Sequence, residues 1–213
     1  MRDTGYEISP QDILLVIDVQ NDFCPNGALA VSEGDEIVEV INRLGVKFDQ
    51  VVMSQDWHPA NHKSFASSHE GKSPFEMIEM VYGPQILWPD HCVQGTKGAE
   101  FHAKLNLPNT VSIIRKGYRA EIDSYSTFFE NDQATPTGLD GFLKDNGIKR
   151  VFMVGLATDF CVGFSALDAA RLGYDVVVVD DACRAINMDG SLDASHERMK
   201  QSGVGRCLAV DIK

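Results

Sequence analysis

Six short apolar runs dominate the chain: DILLVIDV (12–19), QVVMSQDW (50–57), TVSIIRKG (110–117), RVFMVGLA (150–157), YDVVVVDDA (174–182) and GRCLAVDI (205–212). Their apolar residues are continuous and do not alternate with polar ones. Such runs read as strands covered on both faces, which is the property of a parallel sheet. Parallel neighbours need crossover connections, and the intervening sequence supplies them. In 33–48, Ile37, Val40, Ile41 and Leu44 fall on one helical face. The stretches 138–148 and 191–203, and the small-residue stretch after Cys161, also read as helices. The predicted fold is therefore α/β, a parallel β-sheet sandwiched between helices in three layers. A length of 213 residues suits one domain, 1–213, with no repeat and no composition shift. Residues 57–108 lack periodicity but carry Trp57, Phe65, Phe75 and Trp88, so they read as an ordered, functional loop insertion.

Composition removes several classes of function. A net charge of −12 argues against a general nucleic-acid binder, which needs clustered Lys and Arg. No window reaches the apolar length of a membrane span, and the polar start MRDTGYEISPQD has no export-signal core. The five scattered cysteines then read as reduced thiols of a cytoplasmic protein.

In an open α/β sheet, sites form outside the carboxyl ends of the strands. Those ends carry Asp18, then Asp56 and His58, then Lys116, then Cys161. A cysteine at a strand end is, taken alone, most often a buried filler. Its joint placement with an acid and a lysine reverses that expectation. A helix N-terminus and Lys116 would favour the thiolate, Asp18 would carry its proton, and the N–H groups around Ala157 to Cys161 would face an oxyanion. In SQDWHPANHKS, Asp56 and His58 point to the same side of an extended segment, Pro59 turns the chain, and His62 can return. WPDHCV adds His91. Three imidazoles and a carboxylate suit one divalent ion, zinc, manganese or iron. His69, His102 and His196 read as ordinary polar residues.

The motifs LLVIDVQNDF, QDWHPANHKSFA, WPDHCVQGT, RKGYRAEIDSYSTF and VGLATDFCV together resemble the nicotinamidases of the isochorismatase-like hydrolase superfamily. The resemblance implies a catalytic triad of Asp18, Lys116 and Cys161, and a metal held by Asp56, His58, His62 and His91, zinc before manganese or iron. It implies ring contacts from Phe23 and Trp88, a pocket tyrosine at Tyr125, and a cis peptide at Leu156–Ala157 with Ala157 and Cys161 N–H groups as the oxyanion hole. The metal would orient the pyridine ring more than it activates the amide. The implied reaction converts nicotinamide, and also pyrazinamide, to the acid and ammonia through a thioester on Cys161, in NAD salvage. The expected partner is the small-molecule substrate, with neither nucleic acid nor membrane, and a homo-oligomer is left open.

Overall fold

A computed structural model describes residues 5–213; the first four residues of the polar N-terminal stretch lie outside the described residues. Strands β1 (Asp12–Ile17), β2 (Val51–Asp56), β5 (Thr110–Lys116), β6 (Arg150–Leu156), β7 (Asp175–Arg184) and β8 (Gly205–Cys207) form one sheet in the order β5-β2-β1-β6-β7-β8. Every pairing in it is parallel. Helices α1 (Ile37–Gly45), α2 (Leu139–Asp145), α3 (Gly163–Arg171) and α4 (Ser191–Gln201) make the crossovers.

Successive strand residues point to opposite faces, and each face has its own core. Leu14, Val16, Val51, Met53, Phe152, Val154 and Val177 pack with Ile37, Val38, Ile41 and Leu44 of α1. Ile13, Leu15, Ile17, Val52, Val151, Met153 and Val176 pack with residues of the other three helices, among them Leu139, Leu143, Ala166, Ala169 and Met199. Covering both faces is what the unbroken apolar runs require, and it gives the three layers. The small side chains of α3 let that helix approach the sheet closely.

Several expectations shift in detail. β5 is an edge strand, with Val111 and Ile113 each 50% exposed, so its pattern alternates where a continuous buried run was expected. The last strand stops at Cys207, and Ala209–Asp211 turn in a 3-10 helix. The insertion is not wholly irregular: β3 (Met77–Met80) and β4 (Gly83–Ile86) form an antiparallel hairpin. Cys161 was expected at a helix start; it lies instead in a wide π-turn, Thr158–Val162, that leads into α3. Val162 N–H donates to the Ala157 carbonyl across that turn, at 3.1 Å. The Leu156–Ala157 peptide is cis.

Strand order reverses between β1 and β6: the chain runs outward from β1 through β2 to β5, and outward from β6 through β7 to β8. The crevice at such a reversal is where α/β sheets bind ligands. Asp18 and Cys161 follow the carboxyl ends of β1 and β6, which border it, and Asp56 and Lys116 end β2 and β5 on the same edge of the sheet.

Candidate active site and metal centre

Lys116 is the last residue of β5 and is 0% exposed. An ammonium has three N–H donors. Here they meet Asp56 Oδ1 at 2.8 Å, the Ser124 carbonyl at 2.8 Å and Cys161 Sγ at 3.4 Å. Asp18 Oδ2 lies 2.9 Å from the same nitrogen, close enough for charge pairing. With the three hydrogens directed elsewhere, this buried oxygen accepts no aligned hydrogen bond. Asp18 Oδ1 takes one from Ser54 Oγ at 2.7 Å. Asp18 itself has φ 50, an uncommon conformation for a residue with a side chain, and is held there at the end of β1.

Burial shapes the protonation states. It opposes charge on Lys116, but Asp18 and Asp56 more than compensate and carry its pKa well above the usual lysine value. Burial also opposes ionisation of Asp56, yet Lys116 and His58 hold it well below the usual carboxylate range. For Asp18 burial wins over the Lys116 charge, and its pKa is raised. Burial pushes the Cys161 thiol well up; Lys116 pulls it back, and Asp18 and Asp56 add to the rise. Burial thus favours the thiol form of Cys161, with Asp18 Oδ2 left without a hydrogen-bond donor of its own.

The second cluster begins one residue from Lys116. His58 Nδ1 lies 2.9 Å from the Gly117 carbonyl, and His91 Nδ1 lies 2.8 Å from the Pro89 carbonyl. A carbonyl only accepts, so both rings carry their proton on Nδ1. Their Nε2 atoms then converge on one carboxylate oxygen, Asp56 Oδ2, at 3.2 and 3.5 Å. With Nε2 unprotonated, two nitrogen lone pairs and an oxygen lone pair point together, an arrangement that a metal ion satisfies. Asp56, His58 and His91 each offer a ligand atom within 4.8 Å of the others. These residues fit a divalent metal, with carbonyls fixing the ring tautomers as they do behind metal-ligating histidines.

His62 stands differently. Its ring is 4.3 Å from that of His58, but its Nδ1 accepts from Ser64 N–H at 3.2 Å, and its Nε2 lies 3.2 Å from the Ile122 carbonyl. Burial lowers its pKa to about 4. It groups with His58 and Asp123, within 4.8 Å, and not with Asp56 and His91. His69 bonds the Lys63 carbonyl at 2.8 Å.

One cleft joins the two clusters. Asp56, His91, Ala157 and Cys161 line it together with Phe23, Trp88 and Tyr125. The residues read from the sequence therefore meet in one place, apart from the step outward at His62.

Residues 12–209 match the isochorismatase domain family. The chain belongs to the isochorismatase family. Over 199 residues it is 55% identical to the nicotinamidase of Acinetobacter baylyi, covering 93% of each chain. A solved Acinetobacter baumanii nicotinamidase and pyrazinamidase superposes with a TM-score of 0.95 at 53% identity, covering 95% of this chain and 98% of that one. The pyrazinamidase of Pyrococcus horikoshii, solved in complex with zinc, superposes with a TM-score of 0.77 at 36% identity, covering 93% and 99%.

In this isochorismatase-family cleft, sequence reasoning missed Leu29, Asp123, Phe160 and Ile186, which also line the walls. It missed Gln20 as well. That buried amide donates to the Asp56 carbonyl at 2.8 Å and accepts from Asp56 N–H at 2.8 Å, which fixes the backbone of a metal-facing residue. Phe160 sits beside the cysteine in TDFCV, so its neighbourhood was readable. Asp123 and Ile186 reach the cleft only through the paths of loops, which carry no periodic signal.

Proposed function

We propose that this chain is a metal-dependent cysteine amidohydrolase that converts nicotinamide to nicotinate and ammonia. The observation that carries the reading is a buried thiol, paired with a lysine and a carboxylate, that opens into the same cleft as a cation-seeking Asp-His-His set. Similarity to nicotinamidases over nearly the whole chain supports the substrate. The zinc complex of the archaeal relative supports the metal.

Asp18 Oδ2 takes the proton of Cys161 Sγ. The thiolate attacks the carboxamide carbon, and the new oxyanion faces the N–H groups of Ala157 and Cys161. The tetrahedral adduct collapses: the C–N bond breaks, and ammonia leaves with the proton from Asp18. Water, deprotonated by Asp18, then adds to the thioester. The C–S bond breaks, nicotinate leaves, and the proton returns to sulfur. Lys116 stays charged throughout and holds Asp18, Asp56 and the developing thiolate in register. Asp56, His58 and His91 would hold the metal, with His62 reorienting to join them. When bound, the ion supplies a positive centre that fixes the pyridine ring. Phe23 and Trp88 give the ring its contact area, and Tyr125 closes the pocket beside them.

The enzyme is further read as cytoplasmic, acting in NAD salvage and on pyrazinamide too, with no nucleic-acid or membrane partner. Among the described residues no helix is long and apolar enough to cross a membrane, and all five cysteines are unpaired. The test is ammonia release from nicotinamide by the native chain and by Cys161→Ala. The native chain should turn over, and the variant should lose at least about a thousandfold in rate, as expected for a missing nucleophile. No release from the folded, zinc-loaded native chain would overturn the reading.

A further inference from the structure

We infer that Asp159 is a positioning residue that sets one wall of the substrate cleft through the loop carrying Ile186. The inference rests on the nicotinamidase reading and adds a residue to it.

Asp159 lies in the π-turn two places before Cys161 and is 1% exposed. Its side chain does not line the cleft, and among the described residues it has no ion-pair partner. Instead its carboxylate reaches across to the segment that follows β7. Oδ1 accepts from Ile186 N–H at 3.0 Å, and Oδ2 accepts from Asn187 N–H at 2.7 Å and from Ser191 Oγ. Ser191 Oγ in turn accepts from Met188 N–H at 2.9 Å. A buried carboxylate with three donors from one loop is a strong clamp, because charge-assisted hydrogen bonds are roughly twice as strong as neutral ones.

The clamped loop does not hold its shape by local preference. Asn187 has φ 54 and Asp189 φ 49, a left-handed conformation that side chains disfavour, and Gly190 follows at φ 80. Such backbone persists only where the surroundings over-determine it. Ile186, at the head of this loop, lines the cleft together with Ala157, Phe160 and Cys161. One carboxylate thus ties the turn bearing Cys161 to a further part of the cleft wall. If the tie loosens, the wall moves while the thiol, Asp18 and Lys116 keep their contacts. Substrate binding should suffer and chemistry should not.

The experiment measures steady-state ammonia release from nicotinamide for the zinc-loaded native enzyme, Asp159→Asn, Ile186→Ala and the double variant. Asparagine has the shape of aspartate but turns its NH2 toward one of the two backbone N–H groups, since Ile186 and Asn187 donate to different oxygens. Losing that acceptor should raise KM about tenfold, with kcat within about threefold, the size expected for one unsatisfied buried donor. Ile186→Ala should raise KM in the same way, and the double variant should be no worse than the larger single effect. A fall in kcat at constant KM would overturn the inference, since Asp159 would then act on the nucleophile turn. Additive effects in the double variant would overturn it too. If Asp159→Asn does not fold, Ser191→Ala removes one donor to the carboxylate and the acceptor of Met188 N–H, keeps the two backbone donors, and should raise KM about two- to threefold; an unchanged KM there would count against the clamp. A native chain that releases no ammonia would sink the nicotinamidase reading and this inference with it. An active native chain whose variants keep its KM would sink the inference alone.

Discussion

The chemistry of this chain hangs on Lys116, a cation with no solvent and two carboxylates for company. Buried charges are tolerated only as sets, so removing one member is costly. Lys116→Met should destabilise the fold by about 3–5 kcal/mol, read from urea unfolding, because Asp18 and Asp56 would be left facing each other uncompensated. It should also abolish turnover. Gly117, the next residue, has φ 65, and a Cβ there would meet His58 Cε1 at 2.4 Å. Gly117→Ala should therefore displace the His58 ring and weaken zinc affinity by about ten- to a hundredfold, measured by competition with a chromogenic chelator. A variant that binds zinc with native affinity would mean that His58 is not a ligand. Asp18, Asp56 and Lys116 were legible because each sits at the end of an apolar run, and His62 and His91 because they cluster in the loop insertion. The contacts that hold them were not. Gln20 and Gly117 matter through partners 36 and 59 residues away, and no local pattern announces that.

At the scale of elements, the four central strands were readable because burial on both faces leaves an unbroken apolar signature. The β3–β4 hairpin was not. Its β3 residues Met77 to Met80 are exposed or half-buried and carry no strong period, and β4 contains a proline. The π-turn was also invisible, since TDFCV is compatible with an ordinary helix start. Where β1 and β6 meet, Gly155 has φ 121, and a Cβ there would come within 2.1 Å of the Ile17 carbonyl. The two strands approach this closely because one residue has no side chain. Gly155→Ala should cost about 2–3 kcal/mol in unfolding free energy, as overpacking plus backbone strain. A native-like urea midpoint would show that the strands can part without penalty.

For the whole molecule, the metal and the thiol give two independent readouts. An ion that binds only the folded chain stabilises it by mass action. Chelation should therefore lower the melting temperature as well as the activity, and added zinc should restore both. Loss of activity with no thermal shift would separate the ion from the fold. Thiol reagents should discriminate among the cysteines. Burial raises the pKa of all five, Cys161 included, so access and not ionisation must separate them. Cys161 alone among these opens into the cleft beside a base. In the native state it should react first, and nicotinate should slow that reaction.

The reversal of strand order has a consequence for how the chain comes into being. β1 sits at the centre of the sheet, paired with β2 on one side and β6 on the other, Ile17 lying against Gly155. During synthesis the apolar β1 emerges first, yet one of its edges has no partner until more than a hundred further residues have been made. At ribosomal speeds that interval is on the order of ten seconds. By its end the nascent chain carries Asp18, Asp56 and Lys116 but not yet Cys161. An amidase of this design is inert until β6 and Cys161 have been made, and its open strand edge is what a chaperone would meet.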